Sequence, residues 1–189
     1  MPVIGTMTTK SVMADERSNA QTIVISPSKT TDDSVRLSNT SEQLIDLIRA
    51  HSKITKSGGV TTLSISDEDL ELAINKSYGP LFASSFAKRK KVAGVTRVKN
   101  YKHGNIDIYL SKNTLNSIRR SSLSAVVNLF FGLIGAATGA ETGGASIAVI
   151  RSLASKLAGA MLSQVGEYKV GRVYKIRKWK YAGWRYQYK

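Results

Sequence analysis

The sequence predicts an α+β fold. A helical hairpin over 122–165 packs with a small antiparallel sheet, built from a hairpin over 95–110 and a C-terminal ribbon over 168–188, behind a flexible N-terminal arm. Three observations predict it. Residues 121–140 carry no charged side chain and read as one apolar helix. Residues 145–165 place Ile147, Val149, Ile150, Leu153, Leu157, Met161 and Leu162 at helical spacing beside Arg151 and Lys156, the pattern of an amphipathic helix. The stretches 95–110 and 173–188 alternate around turn residues, as strands do.

In chain order, residues 1–40 hold fifteen Ser, Thr and Asn. They bury too little apolar surface to fold alone and read as an arm, with Ile23-Val24-Ile25 as a short apolar run inside it. Residues 41–94 read as a small helical segment. Leu44, Ile45, Leu47 and Ile48 line one face of a helix over 41–51 that Ser41 can cap. Gly58-Gly59 follows as a plain loop, since Lys53 and Lys56 stand where a double-glycine export leader carries apolar residues. Residues 60–65 alternate weakly and are open to a strand. A helix over 67–77 starts at a capping box, Ser66 to Asp69, and Asp67, Glu68 and Asp69 suit its positive end. Gly79-Pro80 breaks it. A short amphipathic piece with Phe82 and Phe86 then leads into the basic run 88–91.

Residues 95–189 read as a basic α+β domain. Gly104 and Asn105 tolerate the positive φ of a hairpin turn, so His103 is a turn residue. Ser111 caps a helix over 112–120. The helices over 122–139 and 145–165 carry small residues four apart, Gly135 and Gly139, then Ser155, Gly159 and Ser163. That spacing lets helices approach closely in lipid or in water. Glu141-Thr142-Gly143-Gly144 supplies a turn between them. In the closing ribbon Trp184, Tyr186 and Tyr188 share one face and Arg185, Gln187 and Lys189 the other; Ala182-Gly183 marks a reversal or bulge.

The charge is lopsided. Of 28 Lys/Arg and 13 Asp/Glu, residues 1–71 hold 7 and 10, a net of −3, and residues 72–189 hold 21 and 3, a net of +18. Seven of the fourteen aromatics lie at or beyond Tyr168. A cationic, aromatic working part implies an anionic partner. Anionic lipid draws Lys and Arg and seats Trp and Tyr at its boundary; nucleic acid offers phosphates and bases. The surface-binding candidates are Lys175, Arg177, Lys178, Trp179, Lys180, Trp184 and Arg185. The candidates for insertion are Leu129, Phe130, Phe131, Leu133, Ile134, Ile147, Ile150, Leu153 and Leu157.

Asn105–Ile118, the Gly/Ala-rich helical pair and Tyr174–Gln187 resemble, in layout, bacteriocin-like small cationic proteins of Gram-positive bacteria. The resemblance implies a protein that permeabilises bacterial membranes. The leading expectation is therefore a non-enzymatic, pore-forming or permeabilising antibacterial protein on anionic membranes, secreted or membrane-associated, with no recognisable signal peptide. The alternatives are a basic nucleic-acid-binding or phage accessory protein in the cytoplasm, and an assembly protein whose arm orders on a second copy. No catalytic residue, cofactor, metal site or small-molecule substrate is expected. The chain has no cysteine and two histidines, which removes thiolate and multi-histidine metal chemistry, and it shows no P-loop, Gly-x-Ser-x-Gly or His-Glu-x-x-His motif.

Overall fold

The computed structural model describes residues 42–78, 95–139 and 146–187. The expectations for the arm, the break at Gly79-Pro80, Phe82 and Phe86, the basic run 88–91, the turn 141–144, Tyr188 and Lys189 lie outside them. Among the described residues there are five helices and six strands. In chain order these are α1 (42–50), β1 (Lys53–Ser57), β2 (Val60–Ser66), α2 (Asp67–Tyr78), β3 (Val95–Asn100) and β4 (Ile106–Leu110). They continue as α3 (Lys112–Ile118), α4 (Leu123–Thr138), α5 (Ile147–Leu162), β5 (Arg172–Arg177) and β6 (Lys180–Tyr186).

The strands form one sheet in the order β1-β2-β3-β4-β5-β6, every neighbouring pair antiparallel. The mixed class is as expected, and the sheet is larger than the sequence suggested. The reason is at Gly58-Gly59. Both glycines adopt positive φ, 56° and 76°, and close a two-residue hairpin between Ser57 and Val60. All of β1 is exposed, so it carries no apolar alternation from which a strand could be read. The β2–β3 ladder, from Thr61↔Asn100 to Ser66↔Val95, runs the same sheet through residues on both sides of position 94.

Register puts the apolar residues on one face. Leu63 faces Val98, Val98 faces Ile108, and Ile108 faces Tyr174. All four belong to the single core cluster, together with residues of all five helices. At the centre of that core lies α4. It is apolar on nearly every side, and from Leu129 to Thr138 each residue is buried beneath other elements. It packs on β2 and β3 on one side and on α5 on another. Against α1 it offers Gly132 and Gly135. A Cβ on Gly132 would lie 2.8 Å from Leu44, and one on Gly135 2.6 Å from Ile45. The small residues therefore serve the α1–α4 contact. On α5, Gly159 has nothing within 4 Å of its Cβ position.

The helix starts are chemically specified. Ser111, Ser122 and Ser146 each accept from the backbone N–H three residues on, and Ser66 and Asp69 form half of the expected box: the Asp69 N–H reaches Ser66 Oγ at 3.0 Å, while Asp69 Oδ2 accepts from the Ser66 hydroxyl at 2.6 Å instead of from its backbone N–H. Asp67 does more than favour a helix dipole. Its buried carboxylate accepts from the Ser111 hydroxyl at 2.6 Å and the Thr114 hydroxyl at 2.8 Å, tying the start of α2 to that of α3. Burial raises its pKa, against the pull of these two donors.

Two turns dock on each other. Lys102, His103 and Gly104 turn β3 into β4 with positive φ; the left-handed backbone falls on Lys102 and His103, and Asn105 instead accepts from the Lys178 N–H through its side chain. Lys178 and Trp179, φ 50° and 59°, turn β5 into β6. This places the reversal before Ala182-Gly183, where the ladder instead shifts register as a bulge does. Non-glycine residues rarely hold such angles. Here they are held because the Trp179 indole lies against Gly104 and the Trp179 backbone N–H donates to the Gly104 carbonyl at 3.0 Å.

Two outcomes are expected. A Cβ at Gly104 would fall 2.4 Å from the Trp179 ring, so Gly104→Ala should lower stability by about 2 kcal/mol or more; in urea unfolding, its cost should shrink in a Trp179→Ala background, as coupled neighbours require. Asp67 is raised in the fold, so the stability it contributes is fullest below its unfolded pKa, near 3.8, and is lost as pH rises through the folded value. Wild type should therefore lose stability relative to Asp67→Asn between pH 4 and pH 7, measured by urea midpoint.

Candidate functional site

Side chains in a strand alternate between faces, so the residues between the core positions share the other face of the sheet. Register identifies them. Arg97 stands opposite Tyr109 and Ser64, and Lys99 opposite Asp107 and Thr62. Asp107 stands opposite Lys175, Val173 opposite Arg185, and Arg177 opposite Lys180. At the far edge Lys53 is opposite Ser64. This face contributes nothing to the core cluster. Its strands hold Lys53, Arg97, Lys99, Lys175, Arg177, Lys180 and Arg185 against a single carboxylate, Asp107. Cations on neighbouring positions fall on a grid of roughly 5 by 7 Å, set by strand spacing and the two-residue repeat.

The lone acid is already committed. The Asp107 side chain is 6% exposed and accepts from Arg177 Nη1 at 2.7 Å. Arg177 also donates to the carbonyls of Ile106 and Ile176, which fixes its guanidinium on the sheet. Two rings join the cations. Lys99 Nζ lies 5.7 Å from the centre of the Tyr109 ring, and Tyr101 lies beside Tyr109 and Asp107. Burial, and then the charge of Asp107, hold the Tyr101 phenol above its ordinary pKa, so it remains a neutral ring and donor at neutral pH.

The structure divides the residues singled out from sequence. Lys175, Arg177, Lys180 and Arg185 stand together on the basic face. Lys178 is exposed in the turn, and Trp179 turns inward onto Gly104. Trp184 is on the opposite face, across from Tyr174, and does not join the cations of the basic face. Of the insertion set, Leu129, Phe130, Phe131, Leu133, Ile134, Ile150, Leu153 and Leu157 are buried in the core; Ile147 is 65% exposed. No helix among the described residues is long and apolar enough to cross a membrane.

Sequence reasoning missed Lys53, Arg97, Lys99, Tyr101 and Tyr109. A signal for two of them was present: Arg97 and Lys99 flank Val98 at period two, as Lys175 and Arg177 flank Ile176. Lys53 gave none, because β1 was not legible as a strand.

At the turn end of the sheet a groove of about 580 Å³ is lined by Arg49, Lys56, Lys102, His103 and Trp179. Arg49 is already engaged there, donating to the carbonyls of Gly135 and Ala136 at the end of α4. Among the described residues no cluster of His, Cys, Asp and Glu is placed to hold a metal ion. No family model matches the chain, and no curated protein or solved structure matches it.

Exposed charges contribute little to stability. Arg97→Gln and Arg185→Gln, both exposed, should leave the unfolding midpoint nearly unchanged, within about 0.5 kcal/mol, yet each should elute from a heparin column at lower salt than wild type. Lys156→Gln, on the outer side of α5, should move the elution less.

Proposed function

We propose that the protein is a non-enzymatic polyanion-binding protein that lays single-stranded nucleic acid across the basic face of its sheet. The observation that carries this reading is the pleat itself. It gathers the cations of β1, β3, β5 and β6 on one surface and leaves them a single carboxylate, paired with Arg177. Phosphates pay little to reach such a surface and release counterions on binding. Tyr101 and Tyr109 supply rings on the same face, where unpaired bases can stack without sequence readout. A protein of this kind acts where nucleic acid is, in the cytoplasm.

A second reading keeps the membrane as partner. Ile147 and Val149 on α5, and Trp184 and Tyr186 on β6, are exposed on the helix side of the sheet, an apolar and aromatic rim suited to a lipid boundary. In that reading the helical hairpin 122–165 is the permeabilising unit, as the bacteriocin-like layout implies. Inserting it would pull Val126, Leu129, Phe130, Phe131, Leu133 and Ile134 out of the core. At roughly 2 kcal/mol each that is on the order of 12 kcal/mol, the scale of a whole domain's stability. Permeabilisation would then require the fold to open at the bilayer. The assembly reading depended on the arm 1–40, outside the described residues.

Retention of a 20-mer oligothymidylate, followed against salt, tests the proposal. The plot of log K against log salt should fall with a slope of about −3 to −5, each displaced phosphate contact adding about 0.7. The triple variant Arg97→Gln, Lys99→Gln, Lys175→Gln should flatten it by about 2. A flat salt response, or a triple variant that binds as wild type does, rejects nucleic acid on this face. Dye release from phosphatidylglycerol vesicles without oligonucleotide retention selects the membrane reading instead.

A further inference from the structure

Arg172 has the wrong surroundings for an arginine. Its position in β5 is two before Tyr174 and four before Ile176, so its side chain points into the core side of the sheet, away from the basic face. It is 3% exposed. Three rings surround the guanidinium: its carbon lies 3.5 Å from the Trp184 ring centre, 4.7 Å from that of Tyr168 and 5.9 Å from that of Tyr186. No carboxylate pairs with it, since the ion pairs of the described residues go to His51, Arg120 and Arg177. Its Nε is buried without an acceptor, and the Tyr174 hydroxyl lies beside the guanidinium and Tyr168.

Stacked rings compensate a buried cation only in part, at about 2 kcal/mol for a desolvated contact, whereas an isolated buried charge costs several. A guanidinium with covered faces still presents its edge, a planar fork of N–H donors that matches an oxyanion two bonds at a time. Arg172 also borders a cavity of about 170 Å³ lined by Gln164, Lys169 and the rings of Tyr168 and Tyr186. That is room for several waters, and so for a phosphate or a short carboxylate. Lys169 adds a second cation at the rim. Glu167, the one acid there, is 60% exposed and turned to Arg120 at 3.9 Å.

We infer that Arg172 is the anchor of a binding site for a small oxyanion, a phosphate or carboxylate group, in the cavity beside Tyr168 and Tyr186. The site lies on the opposite side of the sheet from the basic face and is independent of what that face binds.

The test uses the full chain, with sodium phosphate and sodium acetate titrated at constant ionic strength. The Arg172 Nε–Hε resonance, assigned by its loss in Arg172→Lys, should move along a saturating curve with at least one of the two anions; which one responds identifies the group. The melting midpoint should rise by about 5–10 °C at a hundredfold excess over Kd. Arg177→Gln, which weakens the basic face, should keep that rise, and Arg172→Met should lose it. A resonance that moves with neither anion overturns the inference in the wild type alone, whether or not Arg172→Met folds. A midpoint rise that persists in Arg172→Met overturns it as well, because general attraction to a +15 chain would then account for the effect.

Discussion

In the ladder through β3, β4 and β5, Ile108 lies between Val98 and Tyr174, and its neighbour Asp107 lies between Lys99 and Lys175. One residue along the strand separates a fully buried apolar row from a row of charge. A slip of one position in any of these pairings would send lysines into the core and isoleucines to the surface, so the hydrophobic row and the cationic row enforce each other's register. The helices then have one face to cover. They cover it with α4, whose composition leaves it no stable place in water except beneath other elements.

That packing decides what the apolar helix is for in the folded state. An uncharged stretch near the length of a bilayer core invites a membrane reading, yet its rings and branched side chains are engaged with the sheet, with α1 and with α5. Phe130 meets Tyr174 edge-on at 5.5 Å, and the Gly132 and Gly135 notches receive Leu44, Ile48 and Ile45. Removing α4 removes the core, so its apolar character is first of all a folding requirement. Among the described residues, the charge on the far side of the sheet and the exposed aromatic edge of β6 are open to a partner without opening the fold.

Two arginines on β5 show how parity sets chemical fate. Arg172 and Arg177 are five residues apart, an odd number, and so lie on opposite faces. Arg177 reaches Asp107 and solvent and belongs to an electrostatic surface. Arg172 reaches three rings, the Tyr174 hydroxyl and a small cavity. The first is one cation among several, screened by salt. The second is buried, with no carboxylate beside it.

Local chemistry made much of this legible in the amino-acid sequence: the helix starts at Ser66, Ser111 and Ser122, the hairpin around Gly104, the amphipathic α5, and the split of Trp184 from Arg185 across the ribbon. These are matters of neighbours within four residues, which propensity and period-two or period-3.6 patterning describe. The joining of β2 to β3 was decided by the tertiary structure, because an exposed edge strand such as β1 bears no pattern and pairing partners far apart in sequence leave none. So was the use of Gly135 by α1 instead of α5, which depends on which helix arrives at that notch. The gathering of Arg97, Lys99, Lys175 and Arg185 on one surface needed the registers of four strands at once, and the caging of Arg172 needed β5, β6 and Tyr168 to converge. Contacts of that kind belong to no single segment, and only the assembled sheet brings them about.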